Sequence, residues 1–86
     1  MKRKTTTHVF HIMNNKVEQL IKEAIPDAQV DFQDFKNDGL HFFLGVTSET
    51  FNGKPIVHQH RSVMKAIQPL LDSGELHAVK IKTSTP

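Results

Sequence analysis

Between Val17 and Ile25 the apolar residues keep the spacing of an amphipathic helix. Val17, Leu20, Ile21, Ala24 and Ile25 recur at i, i+3, i+4, i+7 and i+8, and Pro26 closes the run. The predicted start is Asn14 or Asn15, since Asn15 can cap and Glu18 three residues on can complete a capping box. From Ala28 to Phe35 the period changes to two: Val30 and Phe32 share one face, and Gln29, Asp31 and Gln33 the other. Asn37-Asp38-Gly39 has turn chemistry, and alternation resumes from His41 to Ser48 with Phe42, Leu44 and Val46 on one face. Two strands joined this closely predict an antiparallel hairpin.

A turn at Asn52-Gly53 precedes Pro55, which suits the first turn of a helix because its missing N–H would have had no partner there. Ile56, Val57, His60, Val63, Met64 and Ile67 then cluster on one side of a helix at about 100° per residue. This face is the expected core face. Pro69 is expected to end it, leaving Leu70 and Leu71 on a short separate helical turn that stops at Gly74. Leu76 to Thr85 reads as a last strand in which Val79 and Ile81 alternate with Lys80 and Lys82. The order is therefore α-β-β-α-α-β. A long helical crossover before the last strand predicts an α/β (α+β) domain with a three-stranded mixed sheet and helices on one face.

A chain of 86 residues makes one domain and buries only about 60 to 65% of the surface it exposes unfolded. That leaves no room for a deep catalytic cavity. The absence of cysteine excludes disulfides, thiol catalysis and any thiolate metal site built from this chain alone. No apolar run approaches the roughly 20 residues of a membrane helix, so a soluble, cytoplasmic protein is expected, with an organellar site open if the source is eukaryotic. The formal charge is +2, but Lys2, Arg3 and Lys4 sit together and the remainder is close to neutral. Residues 1–13 are expected to form a flexible basic segment and 14–86 the domain, with His8 and His11 on the surface.

The candidate chemistry lies in histidines and basic residues. His77 shares parity with Val79 and Ile81, so its imidazole is expected on the side the last strand buries, where the strand begins. Composition leaves two readings of it, a histidine satisfied by a backbone carbonyl and a metal ligand. His58 and His60 resemble a chelating pair, but residues two apart on a helix point about 200° apart and cannot grip one ion. His60 falls within the apolar stripe, where a structural histidine hydrogen-bonded across the packing interface is expected. Lys54, His58, Arg61 and Lys65 recur at i, i+4, i+7 and i+11 and form a basic stripe suited to phosphates or to an acidic protein partner. No nucleophile motif, carboxylate pair or phosphate-binding glycine loop is present, and no enzymatic activity is expected.

From His41 to Pro86 the chain carries, in order, H-F at 41–42, S-E-T-F-N-G at 48–53, H-R at 60–61, H-A-V at 77–79 and K-T-S-T-P at 82–86. This set resembles the BolA family, and the first helix with its Pro-Asp extends the likeness to about residues 14 to 86. The resemblance implies a fold similar to a type II KH domain. It also implies a partner of monothiol glutaredoxin, sharing a 2Fe-2S cluster with that protein and its glutathione in cluster assembly, trafficking or iron sensing. By its place in H-A-V, His77 matches the family's ligand histidine. His41 is the nearest candidate for a second ligand, because the loop from Phe35 to Leu40 holds neither Cys nor His, with Asp38 or an external group as alternatives.

His60 matches the histidine of the family's R-H-R signature, with Gln59 in place of the first Arg, and Gly53 and Pro55 are expected to be structural. Arg61, Lys65 and the loop from Asn52 to Lys54 are expected to help dock the partner. The resemblance further implies a monomer that holds no cluster stably alone and forms a heterodimer with its partner. Some members are DNA-binding regulators, so the basic stripe supports DNA binding as the alternative function. The G-x-x-G loop by which KH domains clamp a nucleic-acid backbone is absent.

Overall fold

The computed structural model describes the backbone of residues 2–36 and 41–86, and the side chains from residue 12 onward within that set. The sequence folds in the order α1 (Lys2–Ala24), β1 (Gln29–Gln33), β2 (His41–Thr47), a 3-10 turn (Glu49–Phe51), α2 (Ile56–Ser73) and β3 (Ala78–Ser84). The predicted turn at Asn37-Asp38-Gly39 and the alternative ligand Asp38 lie outside the described residues, as do the side chains of His8 and His11.

β2 lies at the centre of the sheet. It pairs antiparallel with β1, with Gln29 opposite Thr47 and Gln33 opposite Phe43, and parallel with β3, with His41 opposite Ala78 and Thr47 opposite Ser84. A parallel pair needs a crossover, and α2 provides it. Alternation along β2 sends Phe42, Leu44 and Val46 into the core, against Val17 and Ile21 of α1, Ile25 just beyond it, and Val63, Ile67 and Leu70 of α2. Phe32 and Phe42 stack diagonally across the hairpin with ring centroids 4.9 Å apart. Among the described residues no helix covers the opposite face of the sheet. The hairpin, the mixed sheet and the one-sided helical layer are those expected from the residue pattern.

Three expectations are corrected. α1 begins at Lys2, not at Asn14 or Asn15. Neither Gly nor Pro interrupts the chain before Pro26, and Met13 lies buried one turn ahead of Val17, so the apolar stripe itself continues through the proposed cap. α2 runs unbroken through Pro69, and Leu70 and Leu71 belong to it. The ring occupies an exposed position, while Val63, Ile67 and Leu70 are held in the core on either side of it. Their burial outweighs a proline's interior cost of roughly 3 kcal/mol. Finally, the apolar face of α2 is wider than its buried face: Ile56, Val57 and Met64 are 57%, 54% and 39% exposed.

Two polar clusters fix the connections. After α1, Asp27 accepts hydrogen bonds from Ser48 Oγ at 2.6 Å, the Glu49 amide at 3.0 Å and Thr50 Oγ1 at 3.3 Å, while Ser48 Oγ accepts from the Thr50 amide at 3.0 Å. These bonds, led by the one from Ser48, hold the Asp27 carboxyl below its ordinary pKa. The 3-10 turn is thereby tied to the end of α1 with Phe51 buried beneath it. On the other side, Gln59 donates to the carbonyls of Lys54 at 2.8 Å and Phe51 at 3.3 Å and accepts from Thr83 Oγ1 at 2.7 Å. One side chain thus joins the 51–54 loop, α2 and β3. Gly53 has φ +79°, a value that a side chain disfavours, and Pro55 stands at the N-cap of α2.

Candidate functional site

The end of the sheet where β2 and β3 begin gathers the candidate ligands. α2 ends at Gly74, whose φ of +83° reverses the chain, and the Leu76 amide donates back to the Leu70 carbonyl at 3.1 Å while the Gly74 amide reaches the Leu71 carbonyl at 3.3 Å. The left-handed glycine and these two bonds close the helix and drive Leu76 into the core. Ser73 and Glu75 bond to one another, and Glu75 also pairs with Lys16 of α1. The ion pair, with help from Ser73, lowers the Glu75 pKa. His77 follows directly, placed by a buried residue on one side and a strand on the other.

His77 is exposed, which corrects the expectation that the strand buries it. β3 starts one residue later, so strand alternation does not govern its ring. The ring turns toward the end of α2, with Cε1 4.0 Å from the place a Cβ on Gly74 would occupy. His41 is half-buried at the first position of β2 and packs edge-on against Phe35, with ring centroids 6.5 Å apart. A shallow cavity of about 200 Å³ beside it is lined by Phe35, His41, Phe42, Ala78, Val79 and Lys80. The parallel register places His41 opposite Ala78, next to His77 in the chain. The two histidines therefore share an end of the sheet but not a side: His41 lies on the helix-free face and His77 turns toward the helical layer.

No cluster of three or more His, Cys, Asp or Glu able to hold a metal exists among the described residues. His58 is exposed and His60 half-buried on successive sides of α2. Among the described residues no hydrogen bond reaches the His60 ring, so the expected bond across the packing interface is not formed. Lys54, His58, Arg61 and Lys65 are all exposed. Lys54, however, precedes α2 rather than belonging to it. It meets Lys65 at a groove of about 470 Å³ between the helices, floored by Ile25, Phe51 and Ala66.

Sequence reasoning missed the roles of Asp27 and Gln59. The signal for Asp27 was a carboxylate directly after a helix-ending proline. Gln59 offered none, because a glutamine reads as solvent-facing until the loop and β3 converge on it.

A helix-crossed, three-stranded mixed sheet that presents an exposed histidine at the start of its last strand defines a small α+β domain of the BolA type. The BolA-like protein family matches residues 10–86, and the chain belongs to that family. BolA1 from Arabidopsis thaliana superposes with a TM-score of 0.73 at 26% identity, covering 84% of this chain and 89% of that one. An uncharacterised protein of Rickettsia prowazekii is 29% identical over 72 residues, 84% of this chain and 92% of the relative. SufE-like protein 1 of Arabidopsis thaliana, chloroplastic/mitochondrial, is 44% identical over 46 residues, 54% of this chain and 12% of that larger protein. No helix among the described residues is long and apolar enough to cross a membrane.

Proposed function

We propose that this BolA-like protein is a non-enzymatic partner of a monothiol glutaredoxin that contributes histidine to a 2Fe-2S cluster bridging the two proteins, with glutathione on the glutaredoxin side. The observation that carries the reading is His77, an exposed imidazole held in place by the buried Leu76 and the closure at Gly74. Similarity to part of a SufE-like protein supports an iron–sulfur role. When bound, the cluster would supply the redox and exchange chemistry, and a neutral nitrogen ligand in place of thiolate raises its potential. The chain's own part is to offer Nδ1 or Nε2 of His77 without rearrangement of its backbone. His41 becomes a second ligand only if its ring, or the partner, bridges from the helix-free face.

Docking draws on α2. The exposed Ile56, Val57 and Met64 lie alongside Arg61 and Lys65, an apolar strip with basic flanks that suits a protein surface carrying carboxylates. The test is a titration of cluster-loaded monothiol glutaredoxin followed by visible circular dichroism. Wild-type protein is expected to change the spectrum to saturation near one to one, and His77→Ala to leave it unchanged. An unaltered spectrum with wild type contradicts the reading.

A second reading is favoured by one feature, the groove that unites Lys54 and Lys65. On this reading the domain regulates transcription by setting these lysines, with His58 and Arg61, on DNA phosphates. Duplex binding that weakens with salt and with Lys54→Gln/Lys65→Gln, in the absence of any effect on the cluster spectrum, selects it.

A further inference from the structure

The helix-free face of the sheet carries its own chemistry. Two rows of the register cross it: Gln33, Phe43 and Lys80 in one, Asp31, Gly45 and Lys82 in the next. Both lysines are exposed, and among the described residues neither enters an ion pair. The single carboxylate in these rows, Asp31, is already engaged, since Gln33 Nε2 donates to its two oxygens at 3.0 and 3.2 Å. The rows therefore present two cations and one carboxylate, whose charge the neutral amide leaves in place, beside an aromatic ring.

Gly45 shapes the surface around that ring. A Cβ at Gly45 would lie 3.2 Å from Phe43 Cε2 and 3.5 Å from Cζ, so the ring leans along the strand into space a side chain would take. Beside it opens a depression of about 410 Å³ bordered by Asp31, Thr47, Lys82 and Ser84. His41 precedes Phe43 by two positions on the same face, roughly 6.6 Å away along the strand. That is about twice the 3.4 Å rise of stacked nucleotides. Rings so spaced seat successive bases only if those bases are unstacked.

The geometry points to single-stranded nucleic acid as the occupant of this face, with bases stacked on Phe43 and His41 and phosphates on Lys80 and Lys82. Aromatic rings on a central strand beside basic residues form a stacking platform that tolerates any base sequence. A duplex keeps its bases stacked and paired and offers such a platform only its edge. The surface lies on the opposite side of the sheet from α2 and does not depend on the basic stripe or on His77; it shares only His41 with the proposed cluster site.

The experiment is fluorescence anisotropy of a labelled oligothymidine 12-mer and its duplex form, titrated with the intact protein. Single strand is expected to bind more tightly than duplex. With two phosphate contacts, affinity falls about sevenfold between ~50 and ~200 mM salt. Phe43→Ala and Phe43→Leu each weaken binding about tenfold or more, the leucine keeping the packing while removing the aromatic plane. Lys80→Gln/Lys82→Gln flattens the salt dependence and requires no change in the core, so it tests the face even where Phe43→Ala fails to fold. Arg61→Gln/Lys65→Gln leaves binding within twofold of wild type. The assignment is overturned by absence of binding at low salt, by loss of binding in the α2 variant with retention in the sheet variants, or by sedimentation showing this face closed against a second copy.

Discussion

At the scale of single residues, the geometry of the candidate site is set by residues that hold the backbone around His77. Gly74 adopts φ +83°, and without it the Leu76 amide could not reach Leu70 nor His77 emerge where it does. Gly74→Ala is expected to cost about 1 kcal/mol in urea unfolding, the penalty for a side chain in the left-handed region. Asp27 and Glu75 both have lowered carboxyl pKa values, against ordinary values of 3.8 and 4.5. Their contribution to stability is complete above those ordinary values and is lost as pH falls through the lower folded-state values. Wild-type stability should thus decline as pH drops below about 5 and further below 4. Asp27→Asn/Glu75→Gln should be less stable at neutral pH and show a shallower acid decline in thermal melts. An unchanged slope would mean these carboxyls are not the groups that couple folding to pH.

At the scale of elements, α2 shows most plainly what residue pattern reveals and what it hides. Its register was legible from the spacing of Val63 and Ile67, and Gly74 was legible as a helix stop, though of a separate turn after Pro69. Its continuity through Pro69 was not, because proline's local cost is visible in sequence whereas the burial of Leu70 that offsets it is a tertiary fact. Pro69→Ala restores the amide that proline lacks and is expected to stabilise the protein by about 1 to 3 kcal/mol. A destabilising effect in chemical denaturation would show that the proline fits a bend α2 requires. The apolar stripe likewise signalled a helix but not how much of it would be covered. Ile56, Val57 and Met64 remain exposed on α2. His77 was legible as a candidate ligand through the H-A-V resemblance, while strand parity misplaced its ring, since β3 begins at Ala78.

At the scale of the whole molecule, one core supports three surfaces: the His77 corner, the α2 strip with its basic flank, and the helix-free sheet. Phe51 is 1% exposed and lies under the turn that links the sheet to α2. Phe51→Ala should destabilise the fold by about 3 to 5 kcal/mol in denaturant unfolding and perturb all three surfaces together. Single changes at the surfaces should instead separate them. The proposed imidazole ligation by His77 in a shared cluster is tested by pulsed EPR of the reduced, cluster-bridged complex with glutaredoxin. A strong nitrogen coupling that is present with wild-type protein, shifts with ¹⁵N-histidine labelling and disappears in His77→Ala is the result predicted. A reduced cluster without nitrogen coupling, or one whose coupling survives His77→Ala, would contradict it.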